Sequence, residues 1–147
     1  SKRSAGDSKT GEETRNDVPH VEVLAATAGP NNCEVQEALD FDMEFELDAG
    51  VDDACWEIKF VVDSVNARHV VILGRTPTRR YPRGRSSVSF STPGINVTGI
   101  KPCTLANAGL LTATLCVGDR EVADVNLVVM VAKKAGAFVR CIYSPLG

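Results

Sequence analysis

Between Glu37 and Asp63 apolar and polar residues alternate with a period of two. Leu39, Phe41, Met43, Phe45 and Leu47 interleave with Asp40, Asp42, Glu44, Glu46 and Asp48. In a strand this puts every apolar side chain on one face and every carboxylate on the other, whereas a helix would spread both sets around its circumference. The turn-rich DAGVDD, Asp48 to Asp53, follows. Trp56, Ile58, Phe60 and Val62 then alternate with Glu57, Lys59, Val61 and Asp63. The pattern predicts an antiparallel hairpin whose two apolar faces enter one core.

The same reading runs along the rest of the chain. Val21, Val23 and Leu24 predict a first strand, closed by the turn residues Gly29 to Asn32. Arg68 to Leu73 predicts a short strand ended by Gly74. Arg75 to Arg85 is rich in Pro and Arg and cannot lie inside a central strand, because proline has no backbone donor. Val88 and Phe90 alternate with serines as another strand, and Thr92 to Pro102 reads as an irregular connection. Leu110 to Val117 and Glu121 to Val131 are apolar runs joined by Gly118-Asp119, a tight-hairpin signature. Phe138 to Tyr143 supplies a last strand before Pro145. Seven to eight short antiparallel strands without an amphipathic helix predict an all-β, immunoglobulin-like β-sandwich. A closed barrel stays open as an alternative, since patterning does not fix closure.

Composition narrows this picture. A chain of 147 residues with 44% hydrophobic content supports one domain with a real core. Ser1 to Asp17 is polar and aperiodic and reads as a flexible arm, leaving 18–147 as a single β-sandwich domain. No apolar run approaches the roughly 20 residues that span a bilayer, and the N-terminus lacks the apolar centre of a signal peptide. The expectation is an intracellular protein, nuclear or cytoplasmic, with no membrane partner. Cys33, Cys55, Cys103, Cys116 and Cys141 are odd in number and contain no C-x-x-C pair, which argues against a disulfide framework and a zinc site. Cys55 directly precedes Trp56, unlike the wide spacing of antibody domains.

The net charge of -3 hides an asymmetry: from Val21 to Ile58 every charged residue is acidic, whereas from Lys59 to Cys103 Asp63 alone opposes a run of cations. Carboxylates at alternate positions of a strand sit about 6.6 to 7 Å apart, within a Debye length of one another, so a cation belongs near them. The candidates are the chain's own arginines, a basic partner, or a metal ion, the last ranked lowest because a straight strand spreads its ligands too far apart. Arg79, Arg80, Arg83 and Arg85 form a basic loop, and Arg83 and Arg85 ahead of Ser86 and Ser87 resemble a basophilic kinase site. The acidic balance and scarce aromatics argue against direct nucleic-acid binding. His20 and His69 lack a positioned partner by spacing, and no phosphate-cradling glycine loop is present. Neither catalytic residues nor a cofactor are expected. Asn96-Val97-Thr98 fits a glycosylation sequon, read as coincidence without a secretory signal.

The acidic turn leading into Trp56-Glu57-Ile58-Lys59-Phe60 resembles the N-terminal β-sandwich of the anti-silencing-function histone chaperones, where an F-x-F-E-I-x-F strand and an acidic turn precede an L-E-W-K strand. Pro82-Arg83-Gly84-Arg85 with Val88-x-Phe90 is similar to that family's P-x-G-R-x-x-F-x-F segment, and Leu110 to Val131 to its long strand pair. The resemblance spans about Val21 to Val131. It implies a sandwich without enzymatic activity that binds proteins, namely the histone three and four dimer and basic peptide motifs. Asp52 and Asp53 match the acidic pair that receives a basic motif. Leu111 falls near the apolar histone contact, and Asp124 and Val128 fall nearest the family's histone-contacting arginine and tyrosine. The loop Asp63 to Arg68 is shorter than its family counterpart. These departures keep a second expectation alive, a structural scaffold in a larger cytoskeletal or ciliary assembly that ignores histones.

Overall fold

The computed structural model describes residues 19–63, 68–106 and 108–145. The predicted arm, 1–17, and the middle of the short loop, 64–67, lie outside the described residues. In chain order the strands are β1 (Val21–Gly29), β2 (Cys33–Glu34), β3 (Leu39–Leu47), β4 (Val51–Asp63), β5 (Arg68–Arg75), β6 (Arg79–Tyr81), β7 (Gly84–Thr92), β8 (Ala108–Val117), β9 (Arg120–Lys134) and β10 (Ala137–Tyr143). One four-residue helix, α1 (Pro102–Leu105), ends the irregular connection ahead of β8.

The strands form two antiparallel sheets, the all-β sandwich that the alternation predicts. A three-stranded sheet has the order β1-β3-β7. A seven-stranded sheet has the order β2-β10-β9-β8-β4-β5, with β6 pairing the start of β4. Ten strands exceed the expected seven to eight by β2 and β6, whose two and three residues are too short for a periodic signal. β6 is also the one strand wholly inside the Pro- and Arg-rich stretch, and it sits at a sheet edge, where proline neighbours are tolerated. Among the described residues, no helix is long and apolar enough to cross a membrane.

The predicted hairpin is corrected. β3 pairs with β1 and β7, and β4 pairs with β5, β6 and β8, so the two consecutive strands lie in different sheets. Alternation fixes which face of each strand is apolar but says nothing about which strand donates to which. The apolar faces do share one core, across the sandwich rather than along one sheet. Leu39, Phe41, Met43, Phe45 and Leu47 meet Trp56, Ile58, Phe60 and Val62 in a single buried cluster. Phe45 stands edge-on to Trp56 at 5.2 Å and to Tyr81 at 5.4 Å, the favoured arrangement for ring quadrupoles. Buried Thr76 ties the next connection to this cluster: its N–H donates to the Trp56 carbonyl and its Oγ1 accepts from the Trp56 N–H, each at 2.9 Å.

A second tie closes the far side of the sandwich. Arg140 on β10 is 0% exposed. Its guanidinium donates to the carbonyls of Pro30 (3.1 Å), Val35 (3.1 Å), Glu37 (2.9 Å) and Ala38 (2.7 Å), so a buried charge is dispersed over four backbone dipoles instead of one carboxylate. Those carbonyls belong to the segment carrying the chain from β1 through β2 to β3. Asn31 Oδ1 also accepts the Ile142 N–H at 2.8 Å, so β10 and this segment hold each other.

Arg140→Met should therefore lower unfolding free energy by about 3 to 5 kcal/mol in urea denaturation, because the buried carbonyls lose their donors. Trp56→Ala should cost about 3 to 5 kcal/mol through the cavity it leaves. A loss under about 1 kcal/mol for either would contradict its place in the fold.

Candidate functional site

The face of the seven-stranded sheet turned away from the core follows from strand parity. Ala54, Trp56, Ile58, Phe60 and Val62 enter the core, so Cys55, Glu57, Lys59 and Val61 of β4 point outward. Register then carries this face across the sheet. Val70 of β5 lies opposite Val61, Val61 opposite Leu110, Leu110 opposite Val128, and Val128 opposite Tyr143. An unbroken apolar row thus crosses β5, β4, β8, β9 and β10 perpendicular to the strands. Val70 (48%), Val128 (44%) and Tyr143 (52%) in the row, with Ile72 (62%) and Met130 (46%) beside it, are the exposed large hydrophobics of the described residues, and all lie on this face.

Further along the strands the same face turns polar. Thr112 Oγ1 donates to Asn126 Oδ1 at 2.8 Å and Thr114 Oγ1 to Asp124 Oδ1 at 2.7 Å, a cross-strand ladder that buries both threonines. Glu57, itself buried, is flanked by Arg75 at 3.2 Å and Lys59 at 3.9 Å, and its carboxylate raises the pKa of the Arg75 guanidinium. Cys55 and Cys116 are opposite one another. Burial pushes the Cys116 thiol up, and the neighbouring Cys55 adds to the rise, which suits packing rather than thiolate chemistry.

The residues singled out from sequence fall into three places. Asp124 and Val128 are both on this outer face of β9. Leu111 is in the core at 1% exposure, and Leu110 carries the outward side chain at that point of β8. Asp52 and Asp53 belong to the beginning of β4 rather than to a free turn, at a register shift against β6. Asp53 has φ 53°, and its carbonyl accepts the Gly118 N–H at 2.9 Å, fixing the bend to the turn between β8 and β9.

The basic loop meets this acidic corner from within the chain. Arg80 Nη1 donates to Asp52 Oδ1 at 3.1 Å, and the Arg79 guanidinium lies 4.7 Å from the Tyr81 ring centroid. Arg83 and Arg85 are exposed, and Arg85 is in register with Glu46. Along the rest of the carboxylate row, Ser91 donates to Asp40 and Ser89 to Asp42, each at 2.6 Å, and the His20 N–H donates to Asp48 at 2.8 Å. The partners found along this row are thus serine hydroxyls and a backbone N–H where the alternation predicted a cation, and Arg85 of β7 is the cation in register with it. Among the described residues no group of three or more His, Cys, Asp or Glu is arranged to hold a metal ion. The sequence matches no protein-family model and no curated protein.

At the rim of the apolar row, Arg68 Nε donates to Asp63 Oδ1 at 2.9 Å. That hydrogen bond, reinforced by charge and opposed by partial burial, holds the Asp63 carboxyl below the ordinary carboxylate range. A carboxyl lowered in the folded state stabilises the fold above its unfolded pKa, and that contribution is lost as pH falls through the lowered value. Both side chains are more than half exposed, so solvent keeps the contribution small. Arg68→Ala should shift the Asp63 carboxyl titration upward in an NMR pH series, and an unchanged midpoint would show that the pair does not form in solution.

Proposed function

We propose that this protein is a non-enzymatic protein-binding module that receives its partner on the outer face of the seven-stranded sheet. The observation carrying this reading is the row Val70, Val61, Leu110, Val128 and Tyr143, with Ile72 and Met130 beside it, which collects the exposed large hydrophobics onto one face. Val61 is buried and Leu110 half-buried between the exposed members of the row, and exposed apolar side chains gathered on one face and rimmed by polar groups are characteristic of interaction sites. The ladder of Thr112, Thr114, Asn126 and Asp124 supplies a polar rim, with Asp124 offering a carboxylate to a basic partner.

The resemblance to the anti-silencing-function chaperones supports the histone three and four dimer as that partner. Two of the positions it ties to histone contact, Asp124 and Val128, lie on the proposed face, and the third adjoins Leu110. An acidic chain also speeds the encounter with a strongly basic dimer. Asp52 and Asp53, beside the all-acidic strand face, support capture of a basic peptide motif at a second site, where the incoming cation displaces Arg80 from Asp52. A specific observation favours the scaffold reading instead: Asp124 and Val128 stand where the resembled family has its histone-contacting arginine and tyrosine, so this face lacks both of those contact groups.

Purified histone three and four dimers should be captured by the wild-type protein at physiological salt, and Val128→Glu should weaken capture by about 10-fold or more through a carboxylate in the apolar centre. No capture by the wild type removes the chaperone reading and leaves the scaffold. Charge reversal of Asp52 and Asp53 to lysine should leave histone capture through the sheet face intact while abolishing pull-down of a synthetic Lys- and Arg-rich peptide.

A further inference from the structure

β5 ends the seven-stranded sheet, and no described strand pairs with its free side. Natural edge strands are usually protected by lysine, proline, a central bulge or extreme shortness. β5, with the sequence RHVVILGR, is eight residues long and has neither Lys nor Pro. Its bulge lies late: Ile58 pairs with Gly74 and Lys59 with Ile72, leaving Leu73 as the extra residue. The segment Arg68 to Ile72 is thus a regular edge, without lysine, proline or bulge and unpaired among the described residues, with a charge only at Arg68. Its outward residues are Arg68, Val70 and Ile72, and the last two are among the most exposed apolar side chains of the described residues.

We propose that this edge is an interface between two copies of the chain, with β5 pairing antiparallel to β5 of the second copy about a twofold axis through Val70. The register follows from the regular segment. Centring on Val70 sets Val70 against Val70, His69 against Val71 and Arg68 against Ile72 of the other copy, and the pairing stops before either bulge. Residues directly opposite in an antiparallel pair share a face, so this register keeps the outer faces of the two sheets on one side. It also extends the apolar row without a break, from Tyr143 through Val70 into the second copy's Val70 and on to its Tyr143. The only charge on the outward side of the segment, Arg68, is already paired with Asp63 of its own chain and meets an isoleucine, not its own symmetry mate. A second copy fits because the segment is its own complement, and a closed twofold contact leaves no further β5 edge on which to grow. Five paired residues a side make a small interface, so the dimer is expected to be weak and concentration-dependent.

Sedimentation velocity of the full chain from about 1 µM to about 1 mM should show a monomer–dimer equilibrium. Val70→Lys places two ammonium groups against each other at the axis and should raise the dimer dissociation constant about 10-fold or more, as like charges directly opposite on a ladder repel. Ile72→Lys, at a more exposed position, should also weaken the dimer and guards against a folding effect of the first variant. Val128→Glu, the variant that tests partner docking, should leave the equilibrium unchanged, so failure of one proposal is distinguishable from failure of the other. A wild-type chain that stays monomeric to about 1 mM overturns the proposal. So does a dimer that survives Val70→Lys but dissolves in Val128→Glu, because that pattern means stacked faces rather than joined edges.

Discussion

The sandwich depends on β3 and β4 facing each other across the core. Consecutive strands usually pair, but here three residues, Asp48 to Gly50, carry the chain from one sheet to the other across a layer spacing of about 10 Å. The crossing works because Phe45 meets Trp56 and Tyr81 edge-on, so rings from both layers interlock where the chain passes over. It also explains the irregular start of β4. A strand arriving from the opposite layer enters its sheet at an angle, and the left-handed conformation at Asp53 with the adjacent register shift absorbs the bend. Beyond that bend β4 lies between β5 and β8, with one face on the core and the other forming the centre of the proposed docking surface.

Much of this was legible because half-buried strands announce themselves. β3 is buried and exposed in strict alternation apart from the half-buried Glu44, so its faces could be assigned residue by residue. β8 could not be read in this way. In AGLLTATLCV nearly every position from Gly109 on is buried or half-buried, so Leu110 and Leu111 are indistinguishable in sequence although Leu111 faces the core and Leu110 the outer face. Pairing partners were equally hidden, since an apolar stripe is satisfied by any apolar surface. Arg140 gave no signal either: a single arginine inside FVRCIY reads as an outward residue of an edge strand, and its acceptors are backbone carbonyls, which carry no side-chain signature. The apolar row combines single residues from five strands and is visible only once register is known.

The charge asymmetry along the chain is matched within the fold at a few places. Lys59 and Arg75 flank Glu57 and Arg80 holds Asp52, so cations of the second stretch meet two acids of the first, while Arg68 holds Asp63 within the second stretch. The Arg68–Asp63 and Arg80–Asp52 pairs are exposed on both sides and individually weak, whereas Glu57 is buried beside its cations. Beside these pairs, Val70, Ile72, Val128, Met130 and Tyr143 are the large apolar side chains that the fold leaves exposed among the described residues.

The arginine clamp also sets the order in which the domain can form. Each acceptor of the Arg140 guanidinium lies 102 to 110 residues earlier in the chain. The turn between β1 and β3 therefore stays without its donors until β10, the last strand, has docked. Contacts of such separation must overcome loop-closure entropy before they contribute anything, and chains dominated by them fold slowly. During synthesis, β3 and β4 can collapse on each other within a single short crossing, yet the segment leading into β3 waits for nearly the whole domain to emerge. Until then, the carbonyls destined for burial face water and both sheets carry open edges, so this interval is when the nascent chain is most exposed to mispairing.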